Sequence, residues 1–452
     1  MRKVDATSGP LTKQIFIYAI PLIFTTILQN LFDIADKAVL GNMAGTVAVA
    51  SVAATTTVTS LIINGAVGLS TGTAIVLARF VGQKNEERIR KAIDTSLLAG
   101  GVIGVFIAVV GFFLAPVFLT VTKCPAECYA DALLYMRIII AATPVTLIYN
   151  YGAAIVRTLG DSQRPLIYIT IAGIVNVGLN VFLCLVLRQK VIAVAIATVA
   201  SKLISAYLIF RRLCNLEDSA RVEVSKMRFD WQSFLLVVRF GIPASISNLV
   251  LPLGNLQIAT AINSYGSSVL AGHSAAISVE NFAFAFSSGF GSAAMTFIGQ
   301  NLGARNVERV KKSFWICTVL STLISGSVGV FTYMTGEIWV GVIVGRASKI
   351  AIEHGVLRLL YVAMPMFVNA ISNVLIAAMK AFGYPMLTSI SNIAINLGFR
   401  VFWMQFIYPI YPRYVTIMQC YIVAWLLNLM FYVLFFAFVY RRYVKKGICR
   451  EI

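Results

Sequence analysis

The feature that most constrains this chain is a series of long apolar segments. Read between charged residues and Gly/Pro breaks, these segments reach or exceed the roughly 20 residues that a helix needs to cross a bilayer. They lack the short polar/apolar alternation of a membrane β-barrel. Because backbone groups in lipid must be paired within the segment, we predict helices. The twelve predicted spans lie near 14–40, 46–78, 93–120, 132–156, 165–187, 191–210, 233–262, 267–299, 314–340, 354–378, 385–410 and 415–440.

The composition agrees with an all-α membrane protein. Of the 452 residues, 59% are hydrophobic and 12% are charged, whereas a soluble domain has roughly 25% charged residues. The mean hydropathy is +0.85. The net charge of +19 would raise the question of nucleic acid in a soluble protein, but in a membrane protein the position of the bases matters more. We therefore expect membrane lipid as the surroundings and no nucleic-acid partner.

The bases are distributed unevenly between the two ends of the spans. If the N-terminus is inside, the inner segments hold 25 Lys and Arg residues and the outer loops hold 6. An excess of bases marks the cytoplasmic side of a membrane protein. This predicts a multi-pass protein of the cytoplasmic membrane with both termini in the cytoplasm, and we expect it to be a monomer.

The two halves of the chain repeat each other. GLSTGTAIVLARFVGQKNEERIRK begins at Gly68 and GFGSAAMTFIGQNLGARNVERVKK begins at Gly289, an offset of 221 residues. VNVGLNVF (175–182) matches INLGFRVF (395–402) at an offset of 220. Because the offset stays nearly constant over long distances, the chain is interpreted as a duplication of one six-helix unit.

The duplication predicts the domain organisation. Residues 1–210 would form an N-terminal lobe, 211–232 a cytoplasmic linker, 233–440 a C-terminal lobe and 441–452 a basic cytoplasmic tail. Since six spans is an even number, both lobes have the same orientation in the membrane. Two such bundles with a site at their repeat interface are typical of transporters that work by alternating access.

Four segments carry a resemblance to a known family. They are LFDIADKAVLG (31–41), the duplicated loop with GQKNEERIRK and GQNLGARNVERVKK, RTLGDSQRPLIY (157–168) and AIATVASK (195–202). The chain resembles the multidrug and toxic compound extrusion (MATE) transporters, and within them the DinF-like branch. The resemblance implies two six-helix lobes in a V-shaped arrangement that export small cationic or amphiphilic compounds in exchange for H⁺ or Na⁺. It implies neither an enzyme nor a cofactor beyond the coupling ion.

The resemblance also suggests a coupling site in the N-terminal half. Asp36 corresponds to the family's cation-coupling carboxylate, and Asn176 and Thr198 match two polar partners of that group. Two positions depart from the family pattern, because Asn180 stands where the family has an aspartate and Lys202 where it commonly has a neutral residue. A sodium site prefers hard anionic oxygen. These departures favour coupling to H⁺, with a sodium-coupled exporter as an alternative.

The C-terminal half has charged residues of its own within the spans. Charge is expensive at the centre of a membrane helix, so Glu280 and Arg400 require an explanation. One hypothesis is a second proton or substrate site at Glu280 with Phe284 on its helix face. The other is a structural ion pair between Glu280 and Arg400. Arg400 is the repeat counterpart of Asn180, so equivalent positions carry different charges in the two halves.

Three other interpretations compete with a drug exporter. A lipid-linked saccharide flippase shares the two-lobe layout by resemblance, but it would favour a cationic central cavity. GLSTG at 68–72 fits the G-x-S-x-G pattern of hydrolases around Ser70, although that pattern requires a strand-to-helix turn. Cys124 and Cys128 could form a metal or redox pair, but two ligands without nearby histidine make a poor site. No metal ligand set is therefore predicted.

Overall fold

The computed structural model describes residues 4–446 except 123, 188, 217–219 and 346–347. All regular elements in this part are helical and contain no strand, which confirms the predicted all-α class. In chain order the helices are α1 (Leu11–Gly82), α2 (Glu86–Val121), α3 (Ala126–Ala141), α4 (Thr143–Thr158), α5 (Gln163–Val186), α6 (Lys190–Cys214), α7 (Trp231–Asn263), α8 (Ser267–Gly303), α9 (Val307–Met334), α10 (Gly336–Val344), α11 (Lys349–Val362), α12 (Met366–Ala381), α13 (Pro385–Ser391), α14 (Arg400–Phe402) and α15 (Tyr414–Lys446). A 3₁₀ turn spans Val224–Lys226.

The helices account for the predicted membrane spans. Nine helical segments in the described part of the chain are each long and apolar enough to cross a membrane, including two within α1, Leu11–Met43 and Ser51–Gly82. Two more spans are the bent pairs α3/α4 and α11/α12. The remaining predicted span, 385–410, corresponds to α13, π-helical Asn392–Phe399, α14 and π-helical Trp403–Ile407. The predicted span 314–340 is interrupted, because α9 ends at Met334 and α10 begins at Gly336.

Both bent spans break beside a proline. α3 and α4 meet at 44° and α11 and α12 meet at 45°. Pro144 lies in the first turn of α4, and Pro365 is the residue that precedes α12. Proline has no backbone N–H and cannot continue the hydrogen-bond ladder of the preceding helix. The two prolines stand at the repeat offset of 221 residues, so the bend is part of the duplicated unit.

The duplicated inner loops share one backbone geometry. Asn85 caps α2 and Asn306 caps α9, each by accepting a hydrogen bond from the backbone N–H three residues later at 3.0 Å. The residue before each cap has a left-handed φ, 54° at Lys84 and 55° at Arg305. The first turn of each helix then carries an i,i+4 ion pair at 2.6 Å, Glu87–Lys91 and Glu308–Lys312. The repetition seen in the sequence is thus repeated in three dimensions.

The described chain forms two compact units whose bounds differ from the predicted lobes. One contains residue 4 and residues 24–245, and the other contains residues 5–23 and 246–446. Each boundary falls inside a helix, two residues after Pro21 in α1 and Pro243 in α7. A proline within a helix removes one backbone hydrogen bond and so provides a natural place for such a change. Residues 447–452 of the predicted basic tail lie outside the described residues.

The predicted linker 211–232 is bound to the first unit. Its first residues still belong to α6, which extends to Cys214. The backbone N–H of Asp230 donates to the Thr95 hydroxyl of α2 at 3.0 Å. The Asp230 carboxylate caps α7 by accepting from the Ser233 N–H at 2.7 Å, and this hydrogen bonding lowers the pKa of Asp230 below its usual range. The segment between the sequence repeats is therefore held at the cytoplasmic ends predicted for α2 and α7.

The GLSTG segment is a helix-packing surface. A Cβ added to Gly68 or Gly72 would overlap the α7 backbone near Ser245 and Gly241. The Ser70 hydroxyl donates to the carbonyl of Val67 at 2.8 Å within the same helix. The strand-to-helix turn that an exposed serine nucleophile requires is replaced here by continuous helix. The glycines of this pattern serve close packing, and Ser70 has no hydrolase context.

Candidate functional sites in the two units

A polar cluster in the first unit joins α1, α5 and α6. Asn180 is fully buried, and its amide nitrogen donates to a carboxylate oxygen of Asp36 at 2.6 Å. The same amide nitrogen lies 3.2 Å from the Asn176 side-chain oxygen. Asn176 in turn donates to the Ser201 hydroxyl at 3.5 Å. The structure thus brings together three of the residues selected from the sequence, Asp36, Asn176 and Asn180.

Thr198 contributes to this cluster differently from the expectation. Its hydroxyl donates to the carbonyl of Val194 within α6 at 2.9 Å. Ser201, one turn later, donates to the Thr198 carbonyl at 2.8 Å and supplies the hydroxyl that meets Asn176. Because residues three apart lie on nearly one helix face, Ser201 could have been selected from the segment AIATVASK.

Lys202 places a positive charge beside the same cluster. The carboxylates whose charges act on Lys202 are Asp33 and Asp36. The ion pairs within 4 Å in the described part of the chain do not include Lys202. The phenol of Tyr135 on α3 is also buried near both carboxylates. Attraction between Lys202 and Asp36 therefore acts across a gap, in a region whose other hydrogen bonds come from neutral amides and hydroxyls.

A second cluster, in the other unit, is centred on an ion pair between α8 and α11. Arg358 donates to Glu280 through Nε at 2.9 Å and through Nη2 at 2.5 Å. The side chains of Glu280 and Arg358 are only 5% and 4% exposed. This overturns the predicted pairing of Glu280 with Arg400, because both carboxylate oxygens are occupied by Arg358. A bidentate guanidinium–carboxylate pair is the geometry in which a buried charge is best compensated.

A histidine and two tyrosines extend the ion pair. Arg358 Nη1 lies 3.1 Å from His273 Nε2, and His273 Nδ1 lies 2.9 Å from the Tyr414 hydroxyl. Arginine can only donate, so His273 Nε2 accepts and its Nδ1 carries the proton. The guanidinium of Arg358 also lies 5.0 Å from the ring centre of Tyr421. Every polar group of the pair is therefore held from at least one side.

Arg400 and Phe284 lie at the edge of this second cluster. The Arg400 guanidinium is 4.7 Å from the ring centre of Tyr421, a cation–π contact with a buried arginine. Phe284 meets Trp425 edge to face, with ring centres 5.9 Å apart. Glu280, Arg358, Arg400, Phe284, Tyr421 and Trp425 all line one cavity of about 400 Å³. A cavity of that size with few polar groups among aromatic walls is typical of a small-molecule site.

Comparison with known proteins identifies the family. The MatE family model matches residues 21–182 and 243–403, two ranges that begin 222 and end 221 residues apart. The chain belongs to the MATE family of transporters. The spacing of the two matches agrees with the duplication predicted from the sequence. The DinF-like branch stays a prediction.

Relatives and solved structures support the same family and fold. The chain is 24% identical to "Probable multidrug resistance protein YoeA" of Bacillus subtilis (strain 168), over 85% of this chain and 84% of that protein. It is 26% identical to an "FAD transporter" of Shewanella oneidensis, over 68% of each. The fold is similar to that of a multidrug resistance MATE transporter solved in an outward-facing conformation, with a TM-score of 0.86, 20% identity, and coverage of 97% and 99%. MATE proteins are transporters, so the prediction of a non-enzyme is confirmed.

Several residues of this MATE chain were missed in the sequence. Arg358 belongs to the predicted span 354–378, where its charge was a usable signal. Tyr421, Tyr414 and His273 carried no charge or periodicity that distinguished them from packing residues. Cys124 and Cys128 are both free thiols, Cys128 being buried. The four-residue spacing thus does not correspond to a disulfide, and it supplies no site for the functions considered below.

Proposed function

We propose that this MATE protein is a secondary exporter driven by proton entry, with Asp36 as the coupling carboxylate. The observation that carries the proposal is the hydrogen bond from Asn180 to Asp36 within the buried polar cluster. A coupling group must have a different proton affinity in the inward and outward states, since only a difference in affinity shifts the equilibrium between them. A carboxylate held by a single neutral amide is sensitive to small changes in its surroundings.

Asn180 suits one-proton exchange because an amide has two faces. Its nitrogen donates to the charged Asp36, while its oxygen is buried without a hydrogen-bond partner among the described residues. If Asp36 takes up a proton, rotation of the amide lets that oxygen accept the new O–H. An aspartate at position 180 would repel the charged form of Asp36 and would itself titrate. The replacement therefore favours a single titrating group.

Lys202 supports proton rather than sodium coupling. Sodium binding requires anionic oxygens, and an ammonium beside the only carboxylate of the Asn180 cluster repels a second cation. When Asp36 is charged, it attracts Lys202, and this attraction holds the cluster together. Protonation of Asp36 removes the attraction, so that α6 is released from α1. In this proposal Lys202 occupies the place that a bound metal cation would take.

The substrate is proposed to be a small amphiphilic compound. The family expectation is a cationic drug, and the relatives' names range from multidrug resistance proteins to an FAD transporter. These names do not select one substrate charge for this chain. We therefore test coupling with two aromatic probes of opposite charge, ethidium and flavin mononucleotide (FMN).

The experiment is transport into proteoliposomes under one imposed gradient at a time. An outward-directed proton gradient should drive uptake of at least one probe, and collapse of the gradient by an ionophore should stop it. A sodium gradient at equal pH should drive uptake of neither. Sodium-driven uptake by the unmodified protein would identify a sodium-coupled exporter instead. Failure of both gradients with both probes would contradict antiport of these compounds.

A further inference from the structure

The cavity of about 400 Å³ in the second unit has an unequal distribution of charge. Its charged lining residues are one carboxylate, Glu280, and two guanidiniums, Arg358 and Arg400. Glu280 and Arg358 neutralise each other through two hydrogen bonds. His273 accepts from Arg358 and is therefore neutral. The formal charge of the lining is +1, and it is contributed by Arg400.

The arrangement of Glu280 disfavours a cationic ligand. Each of its carboxylate oxygens accepts a hydrogen bond from Arg358, and the side chain is 5% exposed. A cation in the cavity would have to displace Arg358 or lie near Arg400 without a carboxylate to compensate it. Either event places like charges together in a poorly solvated region, where electrostatic interactions are strong.

The remaining walls favour an aromatic body. Phe284 and Trp425 meet edge to face, and Tyr421 lies under the guanidinium of Arg400 at 4.7 Å. Aromatic side chains prefer offset or edge contacts with other rings. A planar ring system between these side chains could thus place an attached anionic group at Arg400, with a guanidinium as a strong donor to phosphate or carboxylate.

We propose that this cavity binds an aromatic anion, with the anionic group at Arg400 and the ring against Phe284 and Trp425. The inference rests on the proposed function, because the cavity would then be the substrate site of the exporter. It narrows the amphiphilic class to ring compounds that carry a phosphate, sulfonate or carboxylate. It also replaces the cationic substrate expected from the family resemblance.

The test is equilibrium binding to the purified full-length protein in detergent. FMN and riboflavin have the same ring and differ by one phosphate, so their comparison isolates the anionic group. FMN should bind at least about tenfold more tightly than riboflavin, and ethidium should bind more weakly than FMN. Tighter binding of ethidium than of FMN would overturn the proposal.

Variants assign the preference to one side chain. Arg400→Gln should remove the preference for FMN over riboflavin, whereas Arg400→Lys should retain most of it and so show that the charge matters. The matched control is Arg413→Gln, an exposed arginine of the same unit, which should leave the preference unchanged. A preference that survives Arg400→Gln would refute the role of Arg400.

A competitor without a ring distinguishes an aromatic anion from a lipid headgroup. Dihexanoyl phosphatidic acid carries a phosphate on short acyl chains. It should displace FMN only at about tenfold or greater excess over FMN itself. Displacement at equal concentration would assign the site to a lipid headgroup and overturn the aromatic part of the proposal.

Binding and transport measured together distinguish failure of the cavity inference from failure of the proposed function. Asp36→Asn should bind FMN as the wild type does, because Asp36 belongs to the other unit. If FMN binds but no proton gradient drives transport, the proposed function fails and the cavity inference stands. If a proton gradient drives ethidium while FMN does not bind, only the inference fails.

Discussion

The side-chain nitrogen of Asn180 lies 2.6 Å from a carboxylate oxygen of Asp36, and this bond joins α5 to α1 across 144 positions of sequence. Asn180 is fully buried, so the bond is protected from competition by bulk water. The pair gives the first unit one titratable acid in contact with one amide that can donate or accept. The coupling predictions below follow from this relationship.

Replacing the acid should uncouple transport without unfolding the protein. Asp36→Asn keeps the shape of the side chain and can still accept a hydrogen bond from Asn180, so we expect normal expression and membrane insertion. Uptake driven by a proton gradient in proteoliposomes should be abolished. Asp36→Glu, which keeps a titratable group, should retain measurable uptake. Full activity of Asp36→Asn would remove Asp36 from the mechanism.

Restoring the missing carboxylate should change the coupling ion. Asn180→Asp together with Lys202→Gln supplies a second anionic oxygen and removes the competing ammonium. We expect the double variant to respond to an imposed sodium gradient in the same transport assay. Each single variant serves as a control and should not respond, since one lacks the second carboxylate and the other keeps the repelling lysine. A sodium response in either single variant would contradict the proposed role of Lys202.

The Glu280–Arg358 pair should be costly to break from either side. Glu280→Gln or Arg358→Gln leaves the partner charge buried, a change that typically costs about 3–5 kcal/mol. The double variant leaves neither charge uncompensated, so its loss of stability should be smaller than the sum of the two single losses. Thermal unfolding of the three variants in one detergent measures this coupling. Strictly additive losses would mean that the two groups do not depend on each other.

The orientation of the protein is testable at the duplicated loops. Cysteines introduced as Gln83→Cys and Ala304→Cys lie on exposed positions of the two inner loops. They should not react with a membrane-impermeant thiol reagent added to intact cells, and they should react after permeabilisation. Arg413→Cys, on a predicted outer loop, is the matched control and should react in intact cells. Labelling of either inner position from outside would refute the topology with cytoplasmic termini.

The cap at the start of α7 should depend on pH. Asp230→Ala removes the acceptor for the Ser233 N–H and should lower stability by about 1 kcal/mol at neutral pH. Hydrogen bonding lowers the pKa of Asp230 in the folded protein. The carboxylate therefore stabilises the fold above its unfolded pKa, near 3.9, and this stabilisation is lost as pH falls through the lowered folded pKa. The difference in melting temperature between wild type and variant should shrink below about pH 4.

The sequence by itself determined the helical class, the positions of the spans, the duplication and one coupling residue. A segment in lipid must pair its backbone internally, so apolar length alone predicts a helix. A duplication leaves matching prolines, caps and ion pairs at one offset, and these form locally within a few residues. Asp36 was identifiable because a carboxylate within an apolar span is costly and therefore rare.

The tertiary structure decided which side chains meet. Arg358 rather than Arg400 pairs with Glu280, and Ser201 rather than Thr198 supplies the hydroxyl to Asn176. The unit boundaries fall inside α1 and α7 instead of at the linker. These outcomes depend on the rotation and register of one helix against another. Helices that are apolar on most faces carry little periodic signal for either quantity, so contacts between residues tens of positions apart emerge only when the helices are packed.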